Sequence, residues 1–211
     1  MKHAARKCRY ATCSMKYMVS SEQIQTLRQM TGAGILEARN ALQEADGNVE
    51  KAQEILRKKG TIKAAGKATR VVREGRVEAY IHSNKKIGVL LKLYCETDFV
   101  ARNEQFSELA HDLALHIAAA NPQYLSPADI PEAVQESERR IYAEQVEGSG
   151  NPDHLAAQIV EGKMAKFAEQ VCLLKQPFIK DPDKTIEQII AEYIARIGEN
   201  IQVGEFVRYE I

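Results

Sequence analysis

A small helical bundle followed by an α+β domain on a short antiparallel sheet is the fold this sequence predicts. Three observations carry that expectation. Residues 20–60 hold three short helical patterns parted by glycine turns. Residues 77–95 hold two alternating apolar runs joined by a polar turn, the pattern of a hairpin. Several helical patterns then intervene before a last strand over 201–211. Strands and helices are segregated, which argues for α+β with a small antiparallel sheet. A three-stranded sheet has faces and edges that need covering, by these helices or by a second subunit. The division expected is a basic extension over 1–18, a bundle over 19–60, a basic linker over 61–76 and an α+β core over 77–211.

Residues 1–17 have no periodicity and no apolar centre of a secretory signal. A start-site artefact, a disordered tail and a basic organellar leader are all open. Ser20 or Ser21 can cap a first helix with Ile24, Leu27 and Met30 on its apolar face. Thr31-Gly32-Ala33-Gly34 breaks it, and Ile35, Ala38, Leu42 and Ala45 mark a second. A Gly-x-Gly here could suggest a phosphate loop, but no strand precedes it and no Lys-Ser/Thr follows, so it reads as a helix–helix turn. Asp46-Gly47 ends the second helix, and Asn48 caps a third carrying Val49, Ala52, Ile55 and Leu56. Gly60 is expected to stop it.

Arg57, Lys58, Lys59, Lys63, Lys67, Arg70, Arg73 and Arg76 then form a basic run whose interleaved alanines suggest a helix or helical linker. A solvated face is one reading. Contact with a partner or RNA is the other, weakened by the absence of interleaved aromatics. Val77, Ala79 and Ile81 alternate, Ser83-Asn84-Lys85-Lys86 turns the chain, and Ile87, Val89, Leu91, Leu93 and Cys95 return it as a strand with one buried face. Phe106, Leu109, Ala110, Leu113 and Ile117 follow at helical spacing, stopped by Asn121-Pro122. A polar helix holds Val134, Ile141 and Val146, and Gly148-Ser149-Gly150-Asn151-Pro152 resets the direction. Asn151 can cap a helix with Leu155, Ile159, Met164, Phe167 and Val171. Leu173 to Lys180 reads as an extended connection. Thr185-Ile186-Glu187-Gln188 is a capping box opening an amphipathic helix with Ile186, Ile189, Ile190, Tyr193, Ile194 and Ile197, closed by Gly198.

Hydrophobic residues at 45% and charged residues at 27% are ordinary for a globular protein. No apolar run reaches the roughly 18 residues a membrane span needs. Formal net charge is zero, yet residues 1–18 hold five basic residues and no acid, leaving 24 basic against 29 acidic residues elsewhere. That mildly acidic body argues against general nucleic-acid binding. Cys8, Cys13, Cys95 and Cys172 form no Cys-x-x-Cys, which fits buried thiols in a reducing compartment. The histidines have no metal-ligand spacing. Cys95 with His82 could suggest a thiol nucleophile, but Cys95 is in phase with the apolar face and reads better as structural. No nucleotide fingerprint, Gly-x-Ser-x-Gly or Ser-x-x-Lys stands in the chain. Binding, without catalysis of its own and without a cofactor, is the expectation.

Between the second strand and the next helix lies a polar junction, Glu96-Thr97-Asp98-Phe99-Val100-Ala101-Arg102-Asn103, with one large apolar residue directly after an acid. Such junctions often carry function. Phe99 either tucks onto the core or stands free, and spacing leaves both open.

Leu27 to Gly34, Tyr80-Ile81-His82, Gly88 to Leu91, Cys95 to Asn103, Glu161-Gly162-Lys163, Gln176-Pro177-Phe178 and Ile197 to Ile201 together resemble the bacterial elongation factor Ts family, in its order, over about 20–211. The Thr-Asp-Phe-Val-Ala block is the most specific part. The resemblance implies a cytoplasmic guanine nucleotide exchange factor for elongation factor Tu. It implies that the amino-terminal bundle is ubiquitin-associated-like and docks through Leu27, Arg28, Thr31, Gly32, Ala33, Gly34 and Arg39, the last standing near a usual lysine. It implies that Thr97, Asp98, Phe99 and Val100 dislodge magnesium from elongation factor Tu, with Phe99 as a wedge and Asp98 as the neighbouring polar contact. The chain has room for one core subdomain and is similar to the short form, which implies a homodimer through the three-stranded sheets. Gly204-Glu205 stands where arginines are common, and Val207 removes a thiol found in some short forms.

Overall fold

The computed structural model describes residues 19–147 and 153–211. The expected basic extension over 1–18 and the turn Gly148-Ser149-Gly150-Asn151-Pro152, with its cap, lie outside the described residues. Two compact units meet in sequence between Lys59 and Gly60.

In the first unit, α1 (Ser21–Thr31) begins at a capping box: Ser20 Oγ accepts from the Gln23 amide at 3.1 Å, and Gln23 Oε1 accepts from the Ser20 amide at 3.0 Å. Gly32, at φ 67°, ends it, and α2 (Ile35–Glu44) follows. Asn48 Oδ1 accepts from the Lys51 amide at 3.0 Å in the first turn of α3 (Val49–Lys67). Leu27, Ala38, Ala41, Leu42, Ala45 and Ala52 are the buried core. Met30 and Ile35, expected on the apolar faces, are instead 55% and 58% exposed. They flank the glycine turn, which turns both away from the seam where the helices meet.

Gly60 does not stop α3, contrary to expectation; the helix runs on to Lys67. Within the second unit Gly60 sits with Ala195 Cβ only 3.4 Å from where its own Cβ would lie, and Ala64 one turn on is buried in the core. Tertiary burial outweighs the roughly 1 kcal/mol that an interior glycine costs a helix.

The second unit is built on β1 (Glu74–Ile81), β2 (Ile87–Cys95) and, from the far end of the chain, β5 (Gln202–Glu210), in the antiparallel order β1-β2-β5. Between them run α4 (Asp98–Ala101), α5 (Glu104–Ala120), α6 (Glu132–Glu147), α7 (Asp153–Val171), β3 (Pro177–Phe178), β4 (Asp181–Thr185) and α8 (Ile186–Ile197). The alternation in β2 is decisive: Val89, Leu91, Leu93 and Cys95 are buried, and pack with Phe106, Leu109, Leu113 and Ile117 of α5 and Ile186, Ile190 and Ile194 of α8. Among the described residues of this unit nothing covers the other, apolar sheet face, where Val77 is 63%, Ile81 69%, Leu90 50% and Tyr209 71% exposed. Helices α6 and α7 run against each other, with Val146 and Val160 buried.

Leu173 to Lys180 is not simply extended. A 3-10 turn at Leu173–Lys175 leads into β3, which pairs antiparallel with β4. Pro177 opens β3, a position where the missing amide donor is tolerated. Opposite β2, the register of β5 shifts between Leu91 and Leu93. There a Cβ on Gly204 would lie 2.5 Å from Tyr94 Cε2, so glycine lets the tyrosine ring cross the backbone. Among the described residues no helix is long and apolar enough to cross a membrane.

Candidate functional site

The junction between β2 and α5 is a single helical turn. Thr97 is extended, at φ −128° and ψ 157°, and its Oγ1 accepts from the Val100 amide at 3.5 Å, capping α4. Four residues make no stable helix alone, so the turn depends on its surroundings. Val100 and Ala101 pack against the core. Asn103 then stops α4 and starts α5: its amide donates to Val100 O at 2.9 Å, and its Oδ1 accepts from the Gln105 amide at 2.8 Å. Phe99 stands clear at 83% exposure. Asp98 lies beside it, 3.4 Å from the Arg102 guanidinium on the following turn. Of the two readings left open for Phe99, the structure has the free one.

The base of this turn is held from the α8–β5 corner. Gly198, at φ 94°, closes α8 in a conformation that favours glycine and turns Glu199 toward the junction. Glu199 Oε2 accepts from the amides of Glu96 at 3.2 Å and Thr97 at 3.0 Å, and Oε1 accepts from the Thr97 hydroxyl at 2.7 Å. The Asn200 amide donates to Glu96 Oε1 at 2.6 Å, and its side chain donates to Arg70 O at 2.9 Å. Glu199 and Asn200 were legible only as part of the family block Ile197 to Ile201; no spacing signalled their role.

Cys95 is buried, and its Sγ–H donates to Thr97 O at 3.2 Å. Burial, with the negative charge of Glu199 adding to it, pushes this thiol up to about 11. Thiolate is then scarce at neutral pH, which removes the nucleophile reading. Among the described residues no group of three or more His, Cys, Asp and Glu could hold a metal ion.

The other predicted residues lie in the first unit. The Thr31 hydroxyl donates to Leu27 O at 2.6 Å and accepts from the Ala33 amide at 3.3 Å, while Arg28 Nε donates to Ala33 O at 3.2 Å. Gly32 and Gly34 are exposed, as is Arg39 on α2. Leu27 is fully buried and so supports the turn from beneath. Beside the turn Met30, Ile35 and Leu36 are exposed, Leu36 at 71%, an apolar patch that the helical spacing had assigned in part to the core.

Much of the basic run is engaged internally. Lys58 pairs with Glu54 at 2.8 Å, Lys59 with Glu44 at 2.7 Å, Arg70 with Glu96 at 3.5 Å and Arg76 with Glu78 at 2.9 Å. Lys67 Nζ donates to Gly198 O at 2.7 Å. Most of these pairs are exposed, in keeping with the solvated-face reading of the run.

Residues 20–211 match the family model described as Elongation factor TS. The chain is 50% identical over 194 residues to Elongation factor Ts of Thermosipho melanesiensis, covering 92% of this chain and 99% of that protein. It is 51% identical over 193 residues to Elongation factor Ts of Petrotoga mobilis, covering 92% and 98%. It is 49% identical over 194 residues to Elongation factor Ts of Carboxydothermus hydrogenoformans, covering 92% and 89%. With a capped turn that lifts one phenylalanine off a sheet-and-helix core, and with these matches along nearly its whole length, the chain belongs to the elongation factor Ts family.

Proposed function

We propose that this protein is a guanine nucleotide exchange factor for elongation factor Tu, acting by binding rather than by bond chemistry. The observation that carries the reading is Phe99: a large apolar side chain, 83% exposed, on a turn anchored at both ends. An aromatic held in water gains on the order of 1.5–3 kcal/mol when a partner buries it. Inserted between helices of elongation factor Tu near its nucleotide site, Phe99 disturbs the magnesium that bridges nucleotide and GTPase, and affinity for GDP falls. Asp98 and Thr97 flank the wedge, and Val100 roots it. By linkage, GDP weakens binding of the exchange factor by the same factor that the exchange factor weakens GDP.

The bundle of α1 to α3, of ubiquitin-associated type on this reading, docks separately through the glycine turn. Arg28, Thr31, Gly32, Ala33, Gly34 and Arg39 shape that surface, Leu27 supports it, and Met30, Ile35 and Leu36 supply its apolar area. Two copies of the chain pair through the open sheet face, where Val77, Ile81, Leu90, Val207 and Tyr209 are exposed.

The test is stimulated release of GDP from purified elongation factor Tu. Phe99→Ala is expected to lower stimulation by roughly thirtyfold, the equivalent of about 2 kcal/mol for a truncated aromatic anchor. Its thermal unfolding should stay near wild type, since Phe99 contributes little to the core. An unchanged release rate would sink the wedge role.

A further inference from the structure

We infer that Glu199 is a positioning residue for nucleotide exchange, acting on elongation factor Tu only through the orientation it imposes on Thr97 and hence on Phe99. The inference rests on the exchange reading above and deepens it. Phe99 sits on a turn with no fully buried residue, rooted on the core by the half-buried Val100 and Ala101, so its direction also depends on how the start of the turn is held. That beginning is Thr97, whose hydroxyl has one proton and two lone pairs. As a cap it must turn a lone pair to the Val100 amide, which requires its proton to point elsewhere. Glu199 Oε1, at 2.7 Å, takes that proton. Glu199 Oε2 meanwhile takes the Thr97 and Glu96 amides, at 3.0 and 3.2 Å. One carboxylate thus fixes the backbone and the rotor of the capping residue at once. Bonds to an ionised acceptor are stronger than neutral ones, which suits a clamp on an exposed segment.

The corner carrying the clamp is itself fixed. Asn200 is 1% exposed, its side chain is bonded to Arg70 O, and Lys67 Nζ holds Gly198 O at 2.7 Å. Glu199 therefore transmits a rigid frame to the start of a turn that is too short to hold itself. A wedge displaced by about an ångström can lose much of its effect, since misplacement on that scale costs up to about a hundredfold in well-oriented systems.

The experiment uses the full chain and elongation factor Tu loaded with a fluorescent GDP analogue. Wild type, Phe99→Ala, Glu199→Ala, Glu199→Gln and each Glu199 variant combined with Phe99→Ala are compared by stopped flow. Glu199→Ala is expected to lower the maximal stimulated rate roughly tenfold and Glu199→Gln by less, because the amide keeps one acceptor. In the Phe99→Ala background both effects should shrink to about twofold or less, the signature of residues acting as one unit. Amide hydrogen exchange, with no partner present, should show Thr97 protected in wild type and faster in both Glu199 variants. Loss of exchange activity that adds fully to Phe99→Ala would assign Glu199 a general structural role and overturn the inference, as would unchanged activity in both variants. Should wild type itself fail to release GDP, the exchange reading falls, while the Thr97 amide still reports whether the clamp exists.

Discussion

Phe99 is 83% exposed whereas Val100 packs on the core, because successive residues of a helical turn point about 100° apart. Which of the two faced inward could not be read from spacing: a single turn has no period to count. Cys95 was legible, since it closes the alternation of β2, and its burial gives it an inert thiol. His116 was not. It sits at 1% exposure on α5, where its Nε2 meets Gln176 Oε1 at 3.0 Å. The Gln176 amide nitrogen donates to Gln170 O at 2.7 Å, so Oε1 faces the imidazole and the proton resides on Nε2. Nδ1 has no partner among the described residues. Burial holds His116 below its ordinary titration range. The neutral form is favoured in the fold, so the unfolded chain takes up the proton first as pH falls through about 6.5, and stability declines from there. The urea midpoint of wild type is expected to drop between pH 7.5 and 5.5 by more than that of His116→Gln; equal drops would show that other groups are responsible.

Among the elements, α8 shows how far local rules reach. Thr185-Ile186-Glu187-Gln188 was recognisable as a capping box, and Thr185 Oγ1 does accept from the Gln188 amide at 3.3 Å while Gln188 Oε1 accepts from Thr185 at 3.2 Å. Thr185→Ala is therefore expected to cost about 1 kcal/mol of unfolding free energy in urea titration. Thr185→Ser, which keeps the acceptor, should cost far less; a full-sized loss there would trace the effect to the methyl group instead. Helix α3 shows the opposite case. Glycine is the usual closing residue, yet Gly60 is continued because Ala64 beyond it is buried. The β3–β4 hairpin was likewise hidden, since a two-residue strand carries no alternation.

At the scale of the whole molecule the sheet of the second unit is covered on one side only by that unit's own described residues. The open side collects Val77, Ile81, Leu90, Val207 and Tyr209, because the antiparallel registers bring Ala79 and Val207 beside Leu90, and Tyr209 beside Gly88. A contiguous apolar face of this kind is characteristic of an interface. Sedimentation equilibrium is expected to give twice the chain mass of 23.6 kDa for wild type and the single mass for Leu90→Glu at micromolar concentration. A monomeric wild type would refute the paired sheet.

The sequence by itself determined the α+β class, the helical bundle, the hairpin, the caps at Ser20, Asn48 and Thr185 and the family, because periodicity, capping and motif order are properties of neighbours along the chain. The tertiary structure alone decided that Phe99 stands free, that Gly60 is spanned, and that Met30 and Ile35 lie outside the bundle core. It also brought Glu199 against Thr97, 102 residues apart. Those outcomes depend on which distant surface each residue meets, and burial against a distant surface leaves no local pattern to read.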